Sequence, residues 1–252
     1  MPFLTAGGHR LEYARIDGAR DRPTLILLHE GLGSIALWRD FPMKLAQATG
    51  CAVVVYSRYG YGRSDALAGP RGVDYMHREA LDTLPELRAR LGLDDAVLVG
   101  HSDGASIALI HAGSGRWPVR ALVLEAPHVF VEDVSLTSIA AARTAYETTD
   151  LSRRLARYHA DVDSAFRGWN DIWLHADFRA WNIEDVLPGV RRPVLAIQGA
   201  DDEYGTLAQL DAIERGVAGA FERLVLPECR HSPHRDQEQT VLAAMARFIA
   251  RL

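Results

Sequence analysis

Six short runs of aliphatic residues constrain the fold of this chain more than any other feature. They cover residues 24–29, 51–56, 96–100, 121–125, 194–198 and 221–226, and each is bounded by Gly, Pro or Asp. Runs that are continuously apolar, rather than alternating, are typical of strands buried on both faces. Helical patterns separate most of them, most clearly at 235–252 and less cleanly at 80–91 around Pro85. The alternation predicts an α/β fold with a mostly parallel sheet covered on both sides and an antiparallel piece around 9–16.

The alternation stops between residues 125 and 193, where about 65 residues show no strand pattern. Helical patterns lie there at 133–146, 150–159, 163–175 and 178–186. A structureless loop of that length is improbable inside a compact domain, so we expect an inserted helical unit. The predicted division is a main domain at 1–127 and 191–252 and an insertion at 128–190.

Composition excludes several classes of protein. The chain has 252 residues, 28 Lys and Arg against 33 Asp and Glu, a formal net charge of −5 and 48% hydrophobic residues. It is therefore globular rather than disordered, and its charge gives no support for nucleic-acid binding. Two cysteines are too few for a disulfide framework, and the longest apolar runs, of six residues, are too short to span a membrane. The sequence shows no secretory signal, no metal-ligand pattern and no nucleotide-binding motif. We expect a cytoplasmic protein with no cofactor and no metal, whose partner is a small-molecule substrate rather than nucleic acid or a membrane; a homodimer is left open.

The pentapeptide Gly100-His101-Ser102-Asp103-Gly104 lies between a buried strand and an apolar helix. In that context Gly-X-Ser-X-Gly is typical of a nucleophile elbow, a tight strand-to-helix turn that exposes a serine side chain. A Cβ at either glycine would collide, and Ser102 is expected in a strained backbone conformation. The alternative is a serine that only caps an ordinary turn.

With this elbow, the sequence resembles the α/β-hydrolase family over nearly all of its length. Residues 27–34 (Leu-Leu-His-Glu-Gly-Leu-Gly-Ser) are similar to the family's oxyanion loop, and residues 57–65 to its Gly-X-Gly-X-Ser-Asp turn. The resemblance implies an eight-stranded, mostly parallel sheet flanked by helices, with the insertion as a helical cap. It also implies a serine hydrolase in which nucleophile, acid and histidine follow in that order along the chain.

A serine hydroxyl needs an adjacent base, and the resemblance places that base after Ser102. His231 matches the family's histidine loop between the last strand and the last helix, although Arg230 stands where glycine is usual. His234, three residues further on, is the competing candidate and is expected at the pocket rim or as a helix cap.

The third member of the triad is expected to be Asp202. It lies in Gln-Gly-Ala-Asp-Asp-Glu after the penultimate strand, where the resemblance expects Gly-X-X-Asp. Asp201 is its immediate neighbour, and Glu125 is the alternative because some members of the family carry the acid after the sixth strand. A double-Asp turn also occurs for turn chemistry and helix capping alone.

Two backbone amides are expected to form the oxyanion hole. One is that of Asp103, and the other comes from the loop after His29. Gly31 is the first choice for the second donor, with Glu30 and Leu32 as alternatives, because the sequence reads His-Glu-Gly where His-Gly-X is usual.

The sequence thus predicts a serine hydrolase that cleaves a carboxylic ester or related acyl bond of a small molecule. The expected substrate-binding residues are Glu30, Leu32, Glu125, Trp169 and Trp173, with Trp181 as a further cap aromatic. The alternatives are a carbon–carbon bond hydrolase, a cofactor-free haloperoxidase or perhydrolase, and a ligand receptor that turns over slowly or not at all.

Asp103 is unusual because the residue after the elbow serine is mostly apolar in this family. A carboxylate there raises the barrier to oxyanion formation unless a cation compensates its charge. A protein group is one source of that cation, with Arg58, Arg63 and Arg230 as the candidates. The substrate is the other, which would give selectivity for an ammonium-bearing amino-acid ester. The alternative is that Asp103 simply binds backbone or an arginine near the helix start.

Overall fold

An eight-stranded sheet organises the chain, and the computed structural model describes all 252 residues. The strands are β1 (Phe3–Ala6), β2 (His9–Ile16), β3 (Thr24–Leu28), β4 (Val53–Tyr56), β5 (Ala96–His101), β6 (Ala121–Glu125), β7 (Val194–Gly199) and β8 (Phe221–Leu226). Their order in the sheet is β1-β2-β4-β3-β5-β6-β7-β8, with β1 and β2 antiparallel and the other six parallel. The predicted fold class is confirmed, and the sequence pattern missed only the short edge strand β1.

Ten α-helices surround the sheet or cross its carboxyl edge. They are α1 (Phe41–Thr49), α2 (Tyr75–Arg78), α3 (Leu84–Leu91), α4 (Asp103–Gly113), α5 (Asp133–Thr148), α6 (Leu151–Leu155), α7 (Val162–Trp173), α8 (Ala208–Gly216), α9 (Pro233–Asp236) and α10 (Glu238–Ile249). Short 3₁₀ turns cover Ile35–Trp38, Ala176–Ala180 and Glu184–Gly189. None of the helices has the length and apolarity that crossing a membrane requires.

The central strands β3 to β7 are almost wholly buried because both faces of the sheet are covered there, whereas β1, β2 and β8 carry exposed residues. In β5, Leu98 belongs to a core cluster of 40 buried residues, whereas Val97 and Val99 belong to a cluster of 24 on the opposite face. Alternate side chains of one strand point to opposite faces, so a strand covered on both sides carries no polar alternation.

Two predicted helices are interrupted in the structure. The helix expected at 80–91 begins earlier, at Tyr75, and passes through a π-helical turn at Glu79–Thr83 before α3 starts with Pro85 in its first turn. The residues before Pro85 are already helical, so its missing N–H falls inside a continuous helical stretch, and the π-helical turn interrupts the regular hydrogen-bond pattern just before it. The helix expected at 235–252 is divided at Gln237, whose φ of −136° and ψ of 52° are not helical, into α9 and α10.

The carboxyl ends of four neighbouring strands meet at one edge of the sheet. Leu28 of β3 pairs with Gly100 of β5, and His101 pairs with Glu125 of β6, which pairs in turn with Ile197 of β7. The loops that follow these strands are therefore brought together. The segment between β6 and β7 carries α5, α6, α7 and two 3₁₀ turns, and packs over that edge.

Candidate active site

The turn from β5 into α4 holds Ser102 in a strained conformation. Its φ of 54° and ψ of −119° are rare for a residue with a side chain. A Cβ at Gly100 would overlap the start of α4, and one at Gly104 would overlap the Leu28 carbonyl of β3. The amide of Ser102 donates to the Glu125 carbonyl at 2.9 Å, which ties the turn to β6. The two glycines thus permit a turn that projects the Ser102 hydroxyl away from the sheet.

A continuous chain of side-chain hydrogen bonds starts at that hydroxyl. His231 Nε2 lies 3.0 Å from Ser102 Oγ, and His231 Nδ1 lies 2.7 Å from Asp202 Oδ1. Asp202 is held in turn by the Tyr204 amide at 2.8 Å and by the side-chain amide of Gln198 at 3.2 Å. The three residues come from the ends of β5, β7 and β8, so the sheet brings together positions that are 129 and 29 residues apart in the chain.

The environment of Asp202 favours its ionised form. Burial acts to raise the pKa of this carboxyl, but the charge and hydrogen bond of His231 and the Tyr204 amide outweigh burial and leave the pKa below its ordinary value. An ionised carboxylate accepts a hydrogen bond from a protonated Nδ1 of His231. In that tautomer Nε2 carries no proton and can accept a hydrogen bond from the Ser102 hydroxyl.

His101, the residue before the serine, links the two loops around it. Its Nε2 donates to the main-chain carbonyl of His231 at 2.7 Å, and its Nδ1 lies 3.5 Å from Glu30 Oε2. Burial acts to lower the pKa of His101, but the hydrogen bond and charge of Glu30 raise it overall, and the same pairing lowers the pKa of Glu30 against the effect of burial. Glu30 is also 4.0 Å from Arg235. The loop after β3 and the loop after β8 are thus joined through one buried imidazole.

The loop after β3 lines the same cavity as Ser102 and contains backbone amides without a partner in the protein. The amides of Glu30, Gly31 and Leu32 have no hydrogen-bond acceptor in the protein, and the Asp103 amide is at the first position of α4, where no intrahelical acceptor exists. A Cβ at Gly31 would overlap the indole of Trp169, so glycine is needed there for close approach of the cap. All three loop amides remain available as the second oxyanion donor, and Gly31 stays our prediction.

Asp103 is compensated by the protein rather than exposed to a ligand. Its side chain is 1% exposed; Oδ2 accepts from the Tyr75 hydroxyl at 2.6 Å and lies 3.8 Å from Arg58 Nη2, and Oδ1 accepts from Trp173 Nε1 at 3.3 Å. Of the three candidate cations, Arg58 is the one at this carboxylate, since Arg230 pairs with Glu203 at 2.9 Å. A protein group is thus the compensating cation, and Asp103 is not among the residues that line the cavity over Ser102, so the structure gives no support to selectivity for an ammonium-bearing substrate.

Glu125 is neither a pocket residue nor a partner of His231. It is fully buried, and its Oε2 accepts from both the amide and Nδ1 of His234, at 2.9 and 3.0 Å. Burial acts to raise the pKa of Glu125, but the charge and hydrogen bonds of His234 hold it below the ordinary value. The expectation that Glu125 binds substrate is wrong, and His234, expected at the pocket rim or as a helix cap, is instead a buried partner of Glu125.

A cavity of about 240 Å³ opens over Ser102. Its apolar wall is formed mainly by cap residues, and its polar wall by the loops at the sheet edge. The lining residues are Glu30, Gly31, Leu32, His101, Ser102, His128, Ser135, Ile139, Ala142, Leu151, Phe166, Trp169, Trp173, Tyr204, His231 and Ser232. Glu30, Leu32, Trp169 and Trp173 thus lie where the sequence predicted ligand contacts, whereas Trp181 packs on Phe178 with a centroid distance of 5.4 Å.

Several residues of the site were not singled out from the sequence, and His128 and Tyr75 are the two that bear most on its chemistry. His128 lines the cavity, with its ring centroid 5.6 Å from that of His231 and 5.2 Å from that of Trp173. Tyr75 completes the partners of Asp103 from α2. A signal for His128 was present: it follows β6 by three residues, at the edge where the other site residues end.

The neutral state of His128 should make the stability of the protein depend on pH. Burial, together with the positive charge of His231, lowers the pKa of His128 to about 3, despite the opposing effect of Asp202. The unfolded chain, with a histidine pKa of about 6.5, therefore binds one more proton than the folded state between these values. This contribution to stability is complete above about pH 6.5 and is lost, by about 1.4 kcal/mol per pH unit, as the pH falls toward 3.

Urea unfolding followed by circular dichroism, from about pH 6 to about pH 4, measures this effect. The unfolding free energy of His128→Leu should fall less steeply with decreasing pH than that of the wild type. Equal slopes for the two proteins would show that His128 takes up a proton in the folded state.

The chain is similar in sequence to known proteins. A family model described as "Alpha/beta hydrolase family" matches residues 25–244. Proline iminopeptidase from Lactobacillus delbrueckii subsp. lactis is 34% identical over 112 residues, which is 44% of this chain and 37% of that protein. The match to that relative therefore covers well under half of its length. N-formylmaleamate deformylase from Pseudomonas putida is 28% identical over 246 residues, 86% of each chain.

Solved structures are similar over almost the full length. The enol-lactonase from Burkholderia xenovorans superposes with a TM-score of 0.78 at 20% identity, covering 99% of this chain and 100% of the other. A proline iminopeptidase from Mycobacterium smegmatis gives the same TM-score at 17% identity, with 99% and 97% covered. At these identities the likeness concerns the fold alone.

Proposed function

Since this chain belongs to the alpha/beta hydrolase family, we propose that it is a serine hydrolase that cleaves a carboxylic ester or related acyl bond of a small molecule. One observation carries the proposal: Ser102 Oγ, the His231 imidazole and the Asp202 carboxylate form a hydrogen-bonded chain of 3.0 and 2.7 Å at the floor of a cavity. A serine that lines a cavity next to an oriented imidazole has the geometry of nucleophilic acyl transfer.

The proposed reaction has two stages. In the first, Ser102 Oγ forms a bond to the carbonyl carbon while its proton passes to His231 Nε2. The bond to the leaving group then breaks as His231 returns that proton to the leaving oxygen or nitrogen. In the second, water attacks the acyl carbon while its proton passes to His231 Nε2. The bond from that carbon to Ser102 Oγ then breaks, His231 returns the proton to Oγ, and the acid is released. Asp202 stabilises the imidazolium in both stages, and the amides of Asp103 and Gly31 bind the oxyanion.

The cavity favours a small and largely uncharged substrate. No lysine or arginine lines it, and its one carboxylate, that of Glu30, is paired with His101 and near Arg235. Burying a substrate carboxylate or ammonium without a countercharge is costly. The apolar cap wall, including Ile139, Phe166 and Trp169, suits a short aliphatic or aromatic group.

Lactones and N-acyl compounds belong in the substrate panel together with esters. One relative, which covers 86% of this chain, is named a deformylase, and one similar structure is named an enol-lactonase. The same Ser102 chemistry cleaves an ester, a lactone or an N-acyl bond, because all three contain a carbonyl with a heteroatom leaving group.

Labelling with a fluorophosphonate probe, followed by a substrate panel, tests the proposal. We expect the probe to label wild type and not Ser102→Ala, and at least one of a short-chain p-nitrophenyl ester, a lactone and an N-formyl amide to be hydrolysed. Labelling without any hydrolysis would favour the carbon–carbon bond hydrolase, to be tested with a vinylogous diketone. Absence of labelling in folded wild type would favour the receptor and overturn the proposal.

A further inference from the structure

We propose that His128 is a specificity-determining residue that hydrogen-bonds an uncharged oxygen in the leaving group of the substrate. This inference rests on the proposed function and names the substrate class in more detail: esters of alcohols that carry a second oxygen near the scissile bond. It is carried by the position of His128, by its unsatisfied ring nitrogens and by the absence of lysine and arginine from the cavity wall.

The position of His128 is fixed by the main domain and not by the cap alone. Its carbonyl accepts a hydrogen bond from Ser106 Oγ of α4 at 2.6 Å, and the next amide, that of Val129, donates to Gln209 of α8 at 2.7 Å. Its ring meets Trp173 edge to face. The ring is therefore a pre-organised part of the cavity wall, which is what a residue that orients substrate requires.

The ring nitrogens of His128 are not satisfied by the protein. Nδ1 is buried beside Gly205 and has no hydrogen-bond partner. Nε2 has no hydrogen bond to the protein either. Because Nδ1 is enclosed and His128 lines the cavity, Nε2 is the ring nitrogen that a ligand can reach. A buried polar group without a partner is costly, whereas one that gains a partner from a ligand contributes to binding that ligand. Nδ1 is enclosed and has no acceptor, so a proton on it would be left without a hydrogen bond. The ring proton is therefore best placed on Nε2, from which the ring donates into the cavity.

The location of His128 indicates which part of the substrate it meets. The oxyanion amides come from the loop after β3, on one side of β5, while His128 follows β6 on the other side. His231 must reach the leaving-group atom to protonate it, so the leaving group lies on the His231 side of Ser102. Because the His128 and His231 rings are neighbours, His128 faces the leaving group rather than the carbonyl oxygen.

The charge state of the wall favours a neutral oxygen over a carboxylate. The lowered pKa described above keeps His128 uncharged at neutral pH. The other titratable groups around it are His231, His101 and Asp202, and neither lysine nor arginine lines the cavity. A neutral N–H donor suits a hydroxyl, ether or carbonyl oxygen.

The test compares two esters with leaving groups of equal size, 2-hydroxyethyl butanoate and propyl butanoate. Each kcat/KM is divided by the rate constant for hydroxide-catalysed hydrolysis of the same ester, which removes the difference in intrinsic reactivity. We expect this corrected ratio to favour the hydroxyethyl ester by roughly tenfold in wild type and to fall close to one in His128→Leu. His128→Gln, which keeps an N–H donor near the position of Nε2, should retain part of the preference.

His175→Leu makes the same chemical change at an exposed histidine outside the cavity and should leave the ratio unchanged. A second measurement needs no variant: wild type should prefer the 2-methoxyethyl ester, which only accepts a hydrogen bond, to the butyl ester. The inference is overturned if the corrected ratio is unchanged in folded His128→Leu, or if wild type shows no corrected preference for either oxygen-bearing ester. In both cases Ser102-dependent hydrolysis would leave the proposed function standing. If no ester in the panel is hydrolysed and Ser102 is not labelled, both fail.

Discussion

Replacing Ser102 or His231 with alanine should each lower kcat by at least about 10⁴-fold, because the nucleophile and its base act as a unit. Neither change removes a large buried contact, so both variants should remain folded. The measurement is kcat for the best ester of the panel, with circular dichroism and thermal unfolding as controls. A folded variant of either kind that keeps wild-type turnover would remove the mechanism.

The same experiment identifies the acid. Asp202→Asn should cost about 10³–10⁴-fold in kcat, since the amide favours the wrong tautomer of His231. Glu125→Gln is the matched control, because Glu125 is the other buried carboxylate paired with a histidine at this edge of the sheet. It should mainly reduce stability. A loss of kcat that follows Glu125 and spares Asp202 would reverse the assignment.

Arg58→Ala should have the largest effect on stability, with a loss of about 3–5 kcal/mol in unfolding free energy, since the change leaves Asp103 buried without its cation. Arg58 is 1% exposed, and its Nη2 donates to the carbonyls of Glu30 at 2.8 Å and His29 at 3.3 Å. For a chain of this size the expected fall in Tm is roughly 10 °C. Because Arg58 also holds the loop that carries Gly31, we expect kcat to fall as well.

Two further variants distinguish loss of the buried ion pair from loss of side-chain volume as the cause of the lower stability. Arg10→Ala removes an exposed arginine 3.5 Å from Asp65 and should change the unfolding free energy by less than about 1 kcal/mol. The double variant Arg58→Met, Asp103→Leu removes both buried charges and should recover part of the stability. If Arg58→Ala lowers the unfolding free energy no more than Arg10→Ala does, the Arg58–Asp103 pair does not stabilise the fold.

Much of the fold was predictable because the physics behind it is local. The strands β3–β7 are mainly apolar runs, a direct result of cover on both faces, and the elbow glycines follow from the steric limits of one turn. The partners Asp202 and His231 were located through the family resemblance, by their order in the chain and by the Gly-X-X-Asp and histidine-loop motifs around them. Edge strand β1 carries no such signal, since four residues with an exposed side are too few for a pattern.

The parts that could not be predicted depend on side chains distant in sequence. Whether Asp103 faces a ligand or an arginine is decided by Tyr75, Arg58 and Trp173, which come from three different segments. Glu125 follows a strand at the expected edge, yet it is directed toward His234 because that side chain enters from α9. Sequence position placed both carboxylates at the site but left their orientation undetermined.

The tryptophans of the cap give the protein an optical reporter of its own cavity. Trp169 packs over Gly31 and Trp173 donates to Asp103, and both line the space above Ser102. A ligand that enters this space must change the surroundings of two indole rings at once. Changes in intrinsic fluorescence would therefore follow occupancy directly, even in Ser102→Ala where no product forms. Binding and turnover become separable in this protein without a label, and Trp169→Phe and Trp173→Phe would show which ring reports.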